Sequence, residues 1–223
     1  MNKQGPGKID WTEWTWSPIT GCRYDCSYCY LKRMEKRFKR NMMLPMFHRN
    51  RLFEPVKLKK PSLIFTGSAG DMFGDFIKPS WIKAVFDICN FSASHHTYQF
   101  LTKNPVRYEE FCHILPENGW YGTTCDGTYK TIDNIRVLKD VPGNFLKFVS
   151  FEPLLEDPVR RFDSILPLDG IDWIIIGADS TPGAKKPPYT WADRLIYEAK
   201  EIESIPVFVK DNYGYHKVLK EMP

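Results

Sequence analysis

Trp173-Ile-Ile-Ile176, followed by Gly177-Ala178-Asp179, is a run of four apolar residues with no polar alternation, stopped by two small residues and a carboxylate. A strand with one solvated face alternates; one that does not is covered on both faces, as in a parallel sheet between helices. Leu63-Ile-Phe-Thr66, ending in Gly67-Ser68, and Phe148-Val-Ser-Phe151, ending in Glu152-Pro153, repeat the pattern. Working outward, strand-like runs begin near Trp14, Ser62, Thr97, Gly119, Leu146, Asp172 and Pro206, most of them separated by a helical segment. Pro79-Ser80 opens a helix over Trp81 to Asn90, Asn104-Pro105 opens one over Val106 to Leu115, and Thr190 caps Trp191 to Glu203. Six or seven strand-helix units are fewer than a closed eight-fold barrel needs. The expected fold is therefore α/β: a partial (β/α)6-type TIM barrel of parallel strands, laterally open, forming a single domain over residues 1–223. Tyr213 to Pro223 is a tail whose order the sequence leaves open.

A chain of 223 residues buries roughly 70–75% of its unfolded surface and needs no covalent staples. Its 43% hydrophobic and 26% charged content is that of a water-soluble domain. No stretch approaches the ~20 apolar residues of a membrane span, and Met1 to Lys8 lacks the apolar core of a signal peptide. The expectation is a cytoplasmic protein with no membrane contact; oligomeric state is not readable. In a reducing compartment six cysteines argue for metal rather than disulfides. Cys89 and Cys112 fall in helical patterns and are expected to be small buried hydrophobes, while Cys125, after a strand end, has no activating partner in view.

Charge is uneven. Lys32 to Lys60 holds eleven Lys and Arg against Glu35 and Glu54, a net of +9, so the rest of this +4 chain sums to −5. Such a stretch attracts phosphates, of a nucleic acid or a nucleotide. The plainer alternative is a solvated helix face and loop. His95 and His96 precede the third strand at its N-terminal end, the wrong face for catalysis, and are expected to be structural.

Cys22-Arg-Tyr-Asp-Cys26-Ser-Tyr-Cys29 follows the first strand-like stretch. Three readings compete. A structural zinc site wants a fourth ligand, and His48 is 19 residues past Cys29. Dithiol chemistry would use Cys26 and Cys29 and leave Cys22 idle. A four-iron cluster on three thiolates uses all three and keeps one iron open.

With Tyr28 just before the last cysteine, the motif resembles the radical S-adenosylmethionine (SAM) superfamily, in which this loop follows the first strand of a partial barrel. Ile9-Asp-Trp-Thr12, Trp16-Ser-Pro-Ile-Thr-Gly-Cys22, Asp71-Met-Phe73, Gln99-Phe-Leu-Thr-Lys103, Phe148 to Leu155 and Trp173 to Gly177 are similar to a phage- and prokaryote-encoded three-cysteine-motif family. Asp211-Asn-Tyr213 departs from the Gln-Trp-Gly more typical there. The resemblance implies that Cys22, Cys26 and Cys29 ligate a 4Fe-4S cluster, with S-adenosylmethionine on the fourth iron and reductive cleavage to a 5′-deoxyadenosyl radical. An external donor of flavodoxin or ferredoxin type would supply the electron. Ser68 and Asp71 would replace the family's glutamate at the methionyl amine, and Lys103 would meet the carboxylate. Thr123 and Thr124 would offer hydroxyls to the ribose, with Glu152 as an acceptor; Tyr28 would lie on adenine and Gly177 would let the backbone approach that ring. The radical's substrate is unassigned: a nucleic acid or nucleotide, a peptide or a small metabolite. A non-catalytic iron–sulfur or zinc module is the rival class.

Overall fold

The computed structural model describes residues 1–5, 7–161 and 166–223. The chain forms two compact units: Met1–Tyr121 with Pro142–Phe145, and Gly122–Val141 with Leu146–Pro223.

The first unit opens with strands β1 (Asn2–Lys3), β2 (Trp14–Trp16) and β3 (Ile19–Thr20), then helix α1 (Tyr30–Phe38), strand β4 (Met46–Phe47) and the short helix α2 (Arg49–Leu52). Strand β5 (Leu63–Thr66), helix α3 (Pro79–Asp87) and strand β6 (Thr97–Thr102) follow. Strand β7 (Gly119–Thr124) runs from this unit into the second, which continues with α4 (Asn134–Asp140), β8 (Lys147–Phe151), α5 (Pro158–Arg161), β9 (Trp173–Ile176), α6 (Tyr189–Tyr197) and β10 (Val207–Val209). All seven strand-like runs of the sequence are strands. The strand order is β1-β2-β5-β6-β7-β8-β9-β10. Its two ends are β1 and β10, so the sheet is open; β1 pairs antiparallel with β2, whereas β2/β5, β5/β6, β8/β9 and β9/β10 are parallel.

In the first unit the core is aromatic. Phe73 meets Tyr108 at 4.5 Å between ring centroids, and Phe100 stacks on Tyr121 at 5.2 Å. Such pairs add to area burial through edge-to-face and offset contacts. Arg107, buried beneath this cluster, donates to Gly74 O (2.5 Å) and Ile77 O (2.9 Å), pinning the loop that follows β5. In the second unit Trp173 packs against Phe148 and Phe208, at 5.6 and 6.2 Å, and β9 is buried along its length.

Several expectations are corrected. The segment after Asn104 is a 3-10 helix, Pro105–Phe111, with three residues per turn: Pro105, Tyr108 and Phe111 turn inward together. Cys112 comes one residue later and is exposed, whereas Cys89 is buried as expected. Helix α6 starts at Tyr189 with Pro188 at its N-cap, so Thr190 lies in the first turn and caps nothing. The tail is ordered. Val209 N–H donates to Leu219 O (2.8 Å) and Glu221 N–H to Val207 O (3.2 Å), covering the outer edge of β10, and the Trp173 indole donates to Glu221 O (2.9 Å). Among the described residues no helix is long and apolar enough to cross a membrane.

Candidate functional site

The cysteine loop leaves a two-stranded hairpin, β3 paired antiparallel with β4, which the sequence did not reveal. Its entry is clamped by glycines. Gly21 has φ of +88°, and a Cβ there would stand 2.2 Å from Leu44 O; a Cβ on Gly70 would stand 2.5 Å from Gly21 O. Backbones approach this closely only where no side chain intervenes. Gly21 and Gly70 form a parallel bridge, and Cys22 N–H donates to Met43 O at 3.0 Å.

From there the loop turns, with Cys29 N–H on Cys26 O at 3.2 Å, and Cys29 occupies the N-cap position of α1 without a side-chain capping bond. The three cysteines are free and half-buried. Burial pushes the Cys22 thiol up to about 11, opposed by a hydrogen bond from the Tyr24 backbone and reinforced by the charges of Asp71, Cys26 and Cys29. Among the described residues no trio of His, Cys, Asp and Glu side chains is grouped around a single ion.

Tyr28 lies between the second and third cysteines. Lys103, at the end of β6, donates to its hydroxyl at 2.8 Å and stands 5.2 Å from its ring centroid. The structure thus brings two predicted site residues together, one from the loop and one from a strand end. Asp71 is what sets Lys103. Its Oδ2 accepts Lys103 N–H (2.8 Å), while Oδ1 accepts the Thr102 hydroxyl (2.7 Å) and Phe73 N–H (3.0 Å). Burial raises the Asp71 carboxyl above its ordinary range despite these donors. Ser68 sits in the turn after β5, its Oγ 3.2 Å from Ser17 Oγ and its carbonyl accepting the Tyr30 hydroxyl.

The second unit presents its own strand-end group. Glu152, after β8, pairs with Lys210, after β10, at 2.5 Å. Asn212 reaches Glu152 Oε1 at 3.5 Å and closes on Ala178 twice, donating to its O (2.7 Å) and accepting from its N–H (3.3 Å). The partner expected for a carboxylate in an apolar strand mouth is thus a lysine. Gly177 lies under this group: a Cβ there would meet Glu152 Cδ at 2.8 Å, so the close neighbour its missing side chain admits is the glutamate. Thr123 and Thr124 are buried at the end of β7, and Asn134 holds Thr124 O at 3.2 Å.

Sequence reasoning missed Tyr24, Arg107, Lys210 and Asn212. Lys210 was visible as the end of an apolar run. Asn212 lay in the Asp211-Asn-Tyr213 departure, but its partner could not be read, because it bridges backbone 34 residues away. His95 and His96 hold Leu58 O and Pro55 O, at 2.9 and 3.0 Å, in a structural role. A cavity of about 690 Å³ in the first unit, lined by Phe86, Phe91, His113 and Asn118 among others, shares no residue with the cysteine loop.

Four solved chains resemble this fold. Spore photoproduct lyase complexed with dinucleoside spore photoproduct superposes with a TM-score of 0.64 at 12% identity, covering 94% of this chain and 79% of that one. A doubly substituted mutant of that lyase, with bound AdoMet and dinucleoside spore photoproduct, gives 0.56 at 13% identity, covering 88% and 62%. At these identities the likeness is one of fold. No curated protein matches the chain. The family described as a protein of unknown function, DUF5131, matches residues 6–222, and across that span the chain belongs to it.

Proposed function

We propose that this protein is a radical S-adenosylmethionine enzyme acting on a nucleic acid or nucleotide. One observation carries the reading: three free, half-buried cysteines lie on one eight-residue loop that leads into α1, in a fold shared with a lyase that has been solved with AdoMet and a dinucleoside. The donor set fits a 4Fe-4S cluster. A cluster asks each thiolate for a different iron, whereas zinc asks four ligands to surround one point. Cys22, Cys26 and Cys29 would be its ligands.

When bound, the cluster and S-adenosylmethionine supply one-electron cleavage of the sulfonium to a 5′-deoxyadenosyl radical, with the electron coming from an external flavodoxin- or ferredoxin-type donor. The chain's residues bind and orient. Lys103, fixed by Asp71 and resting on Tyr28, is a point charge for the methionyl carboxylate. Ser68 and Asp71 frame the same strand ends, and Tyr28 offers a ring to adenine. In the second unit Thr123 and Thr124 offer hydroxyls, Glu152 is an acceptor held by Lys210, and Gly177 leaves room beside it.

The nucleic-acid part rests on α1. Lys36, Arg37, Lys39 and Arg40 are all exposed, and none has a carboxylate partner among the described residues. At about 1.5 Å per residue they lie about 10–16 Å along the chain from Cys29. Phe38 is exposed among them, with Arg37 5.4 Å from its ring centroid.

The test is anaerobic reconstitution with iron and sulfide, then dithionite and S-adenosylmethionine. The expected result is 5′-deoxyadenosine release that disappears in Cys26→Ala. A colourless protein that takes up zinc and releases none refutes the reading.

A further inference from the structure

Tyr24 stands between the first two cysteines, and no described residue gives its phenol a partner. The hydroxyl oxygen is sealed from solvent and makes no hydrogen bond among the described residues, while the ring packs edge-on against Phe76 at 5.3 Å. An unmatched buried hydroxyl costs about 1–3 kcal/mol, and native sites rarely leave one so. The nearby groups have other engagements. Asp71 accepts from Phe73, Thr102 and Lys103, Asp75 accepts the Asn104 amide at 2.7 Å, and Arg107 donates to Gly74 and Ile77.

Tyr24 already serves sulfur through its backbone, whose N–H is hydrogen-bonded to Cys22. Burial pushes the phenol up, and the charges of Asp71, Asp75 and then Cys22 add to it. One residue therefore gives the first cysteine a main-chain donor and carries a second, unused donor on the loop between Cys22 and Cys26.

Resting on the cluster reading above, we infer that the Tyr24 hydroxyl donates a hydrogen bond to a sulfur of the 4Fe-4S cluster held by Cys22, Cys26 and Cys29, and so tunes how readily that cluster is reduced. Reduction adds one negative charge to the cluster. A donor to its sulfur stabilises the reduced form more than the oxidised one and raises the potential. Tyr24 is a positioning and tuning residue; it takes no part in bond breaking.

The test compares reconstituted wild type, Tyr24→Phe, and a variant with p-aminophenylalanine at position 24, which keeps the ring and restores a donor of similar reach. Iron and sulfide content confirms loading, and the midpoint is read by dye-mediated titration of the visible absorbance. Tyr24→Phe is expected to bind the cluster with a reduction equilibrium about tenfold less favourable, about 59 mV lower for one electron. The aminophenylalanine variant is expected to recover most of that shift. The reduced-state electron paramagnetic resonance spectrum should change in Tyr24→Phe and return towards wild type with the donor. Equal midpoints and spectra in a fully loaded Tyr24→Phe overturn this inference alone. If Tyr24→Phe takes no cluster, recovery of loading by the aminophenylalanine variant supports the donor, and failure of both overturns it. A wild type that takes no cluster overturns this inference together with the proposed function.

Discussion

Gly70→Ala probes the clamp that fixes the cysteine loop. A Cβ at residue 70 would stand 2.5 Å from Gly21 O and 3.0 Å from Gly21 N. Both are backbone atoms, which cannot rotate aside as a side chain can. The substitution must open the Gly21 to Gly70 bridge and strain the Gly21 N–H bond to Ala69 O, now 2.9 Å. Overpacking costs about 1–3 kcal/mol and the weakened bond about 1 kcal/mol, so the mid-range total is about 3 kcal/mol. For a chain of this length each kcal/mol moves Tm by about 2–4 °C, and the expected drop is about 6–12 °C. Against a total stability of about 5–15 kcal/mol the variant still folds. Because Cys22 is covalently next to Gly21, the same displacement shifts the first thiol, and iron taken up per chain should fall as well. Gly21→Ala should be worse by a further ~1–2 kcal/mol, because its φ of +88° also penalises any side chain. A Cβ at Gly70 meets Gly21 while one at Gly21 meets Leu44 and Pro45, so the clashes are separate but share residue 21, and the double variant should depart from their sum. Thermal unfolding by circular dichroism and iron assay after reconstitution read both effects. A Gly70→Ala protein with wild-type Tm and full iron refutes the argument that this contact sets the loop.

The remaining predictions address charge and burial. Replacing Lys36, Arg37, Lys39 and Arg40 with alanine should weaken single-stranded oligonucleotide binding and flatten the slope of log Kobs against log salt by about 2.8, at about 0.7 per phosphate contact; an unchanged slope by fluorescence anisotropy removes the phosphate role. Arg107→Met leaves the carbonyls of Gly74 and Ile77 without their donor and should cost about 3 kcal/mol in urea unfolding; a loss under ~0.5 kcal/mol would show that the loop holds itself. Glu152→Gln leaves Lys210 without its counter-charge and should raise KM for S-adenosylmethionine more than it changes kcat, a split that steady-state 5′-deoxyadenosine assays report. The Asp71 carboxyl is raised in the folded state, so the folded protein there holds more protons than the unfolded chain, whose aspartates titrate near ~3.9. Stability of the cluster-free protein should therefore fall as pH rises from about 3.9 through the raised native value, and Asp71→Asn should flatten that decline. Parallel pH profiles of urea midpoints for the two proteins would contradict the assignment.

What the sequence disclosed and what it concealed divide along physical lines. Continuous apolar runs such as Trp173 to Ile176 reveal themselves because burial on both faces constrains every residue in turn. The β3/β4 hairpin is two residues on each side, too short for any period, and it exists because Gly21 lets Leu44 approach. The segment from Pro105 carries inward residues three apart, which a 3.6-residue reading turns into the wrong helix and a wrongly buried Cys112. At the site, Tyr28 and Lys103 could be named one by one from motif and strand end. Their contact could not, because Asp71, 32 residues earlier, is what holds the backbone of Lys103 in place.

The ordered tail bears on how the second unit is made. Strand β10 reaches Val209, but the groups that close its outer edge sit at Leu219 and Glu221. During synthesis at about 5–20 residues per second, that edge waits for residues made 10–14 positions later and the Trp173 indole for one made 48 positions later. An open edge with unpaired amides is a template for another chain. The outer edge of β10 is therefore open to mispairing until residues 219–221 cover it.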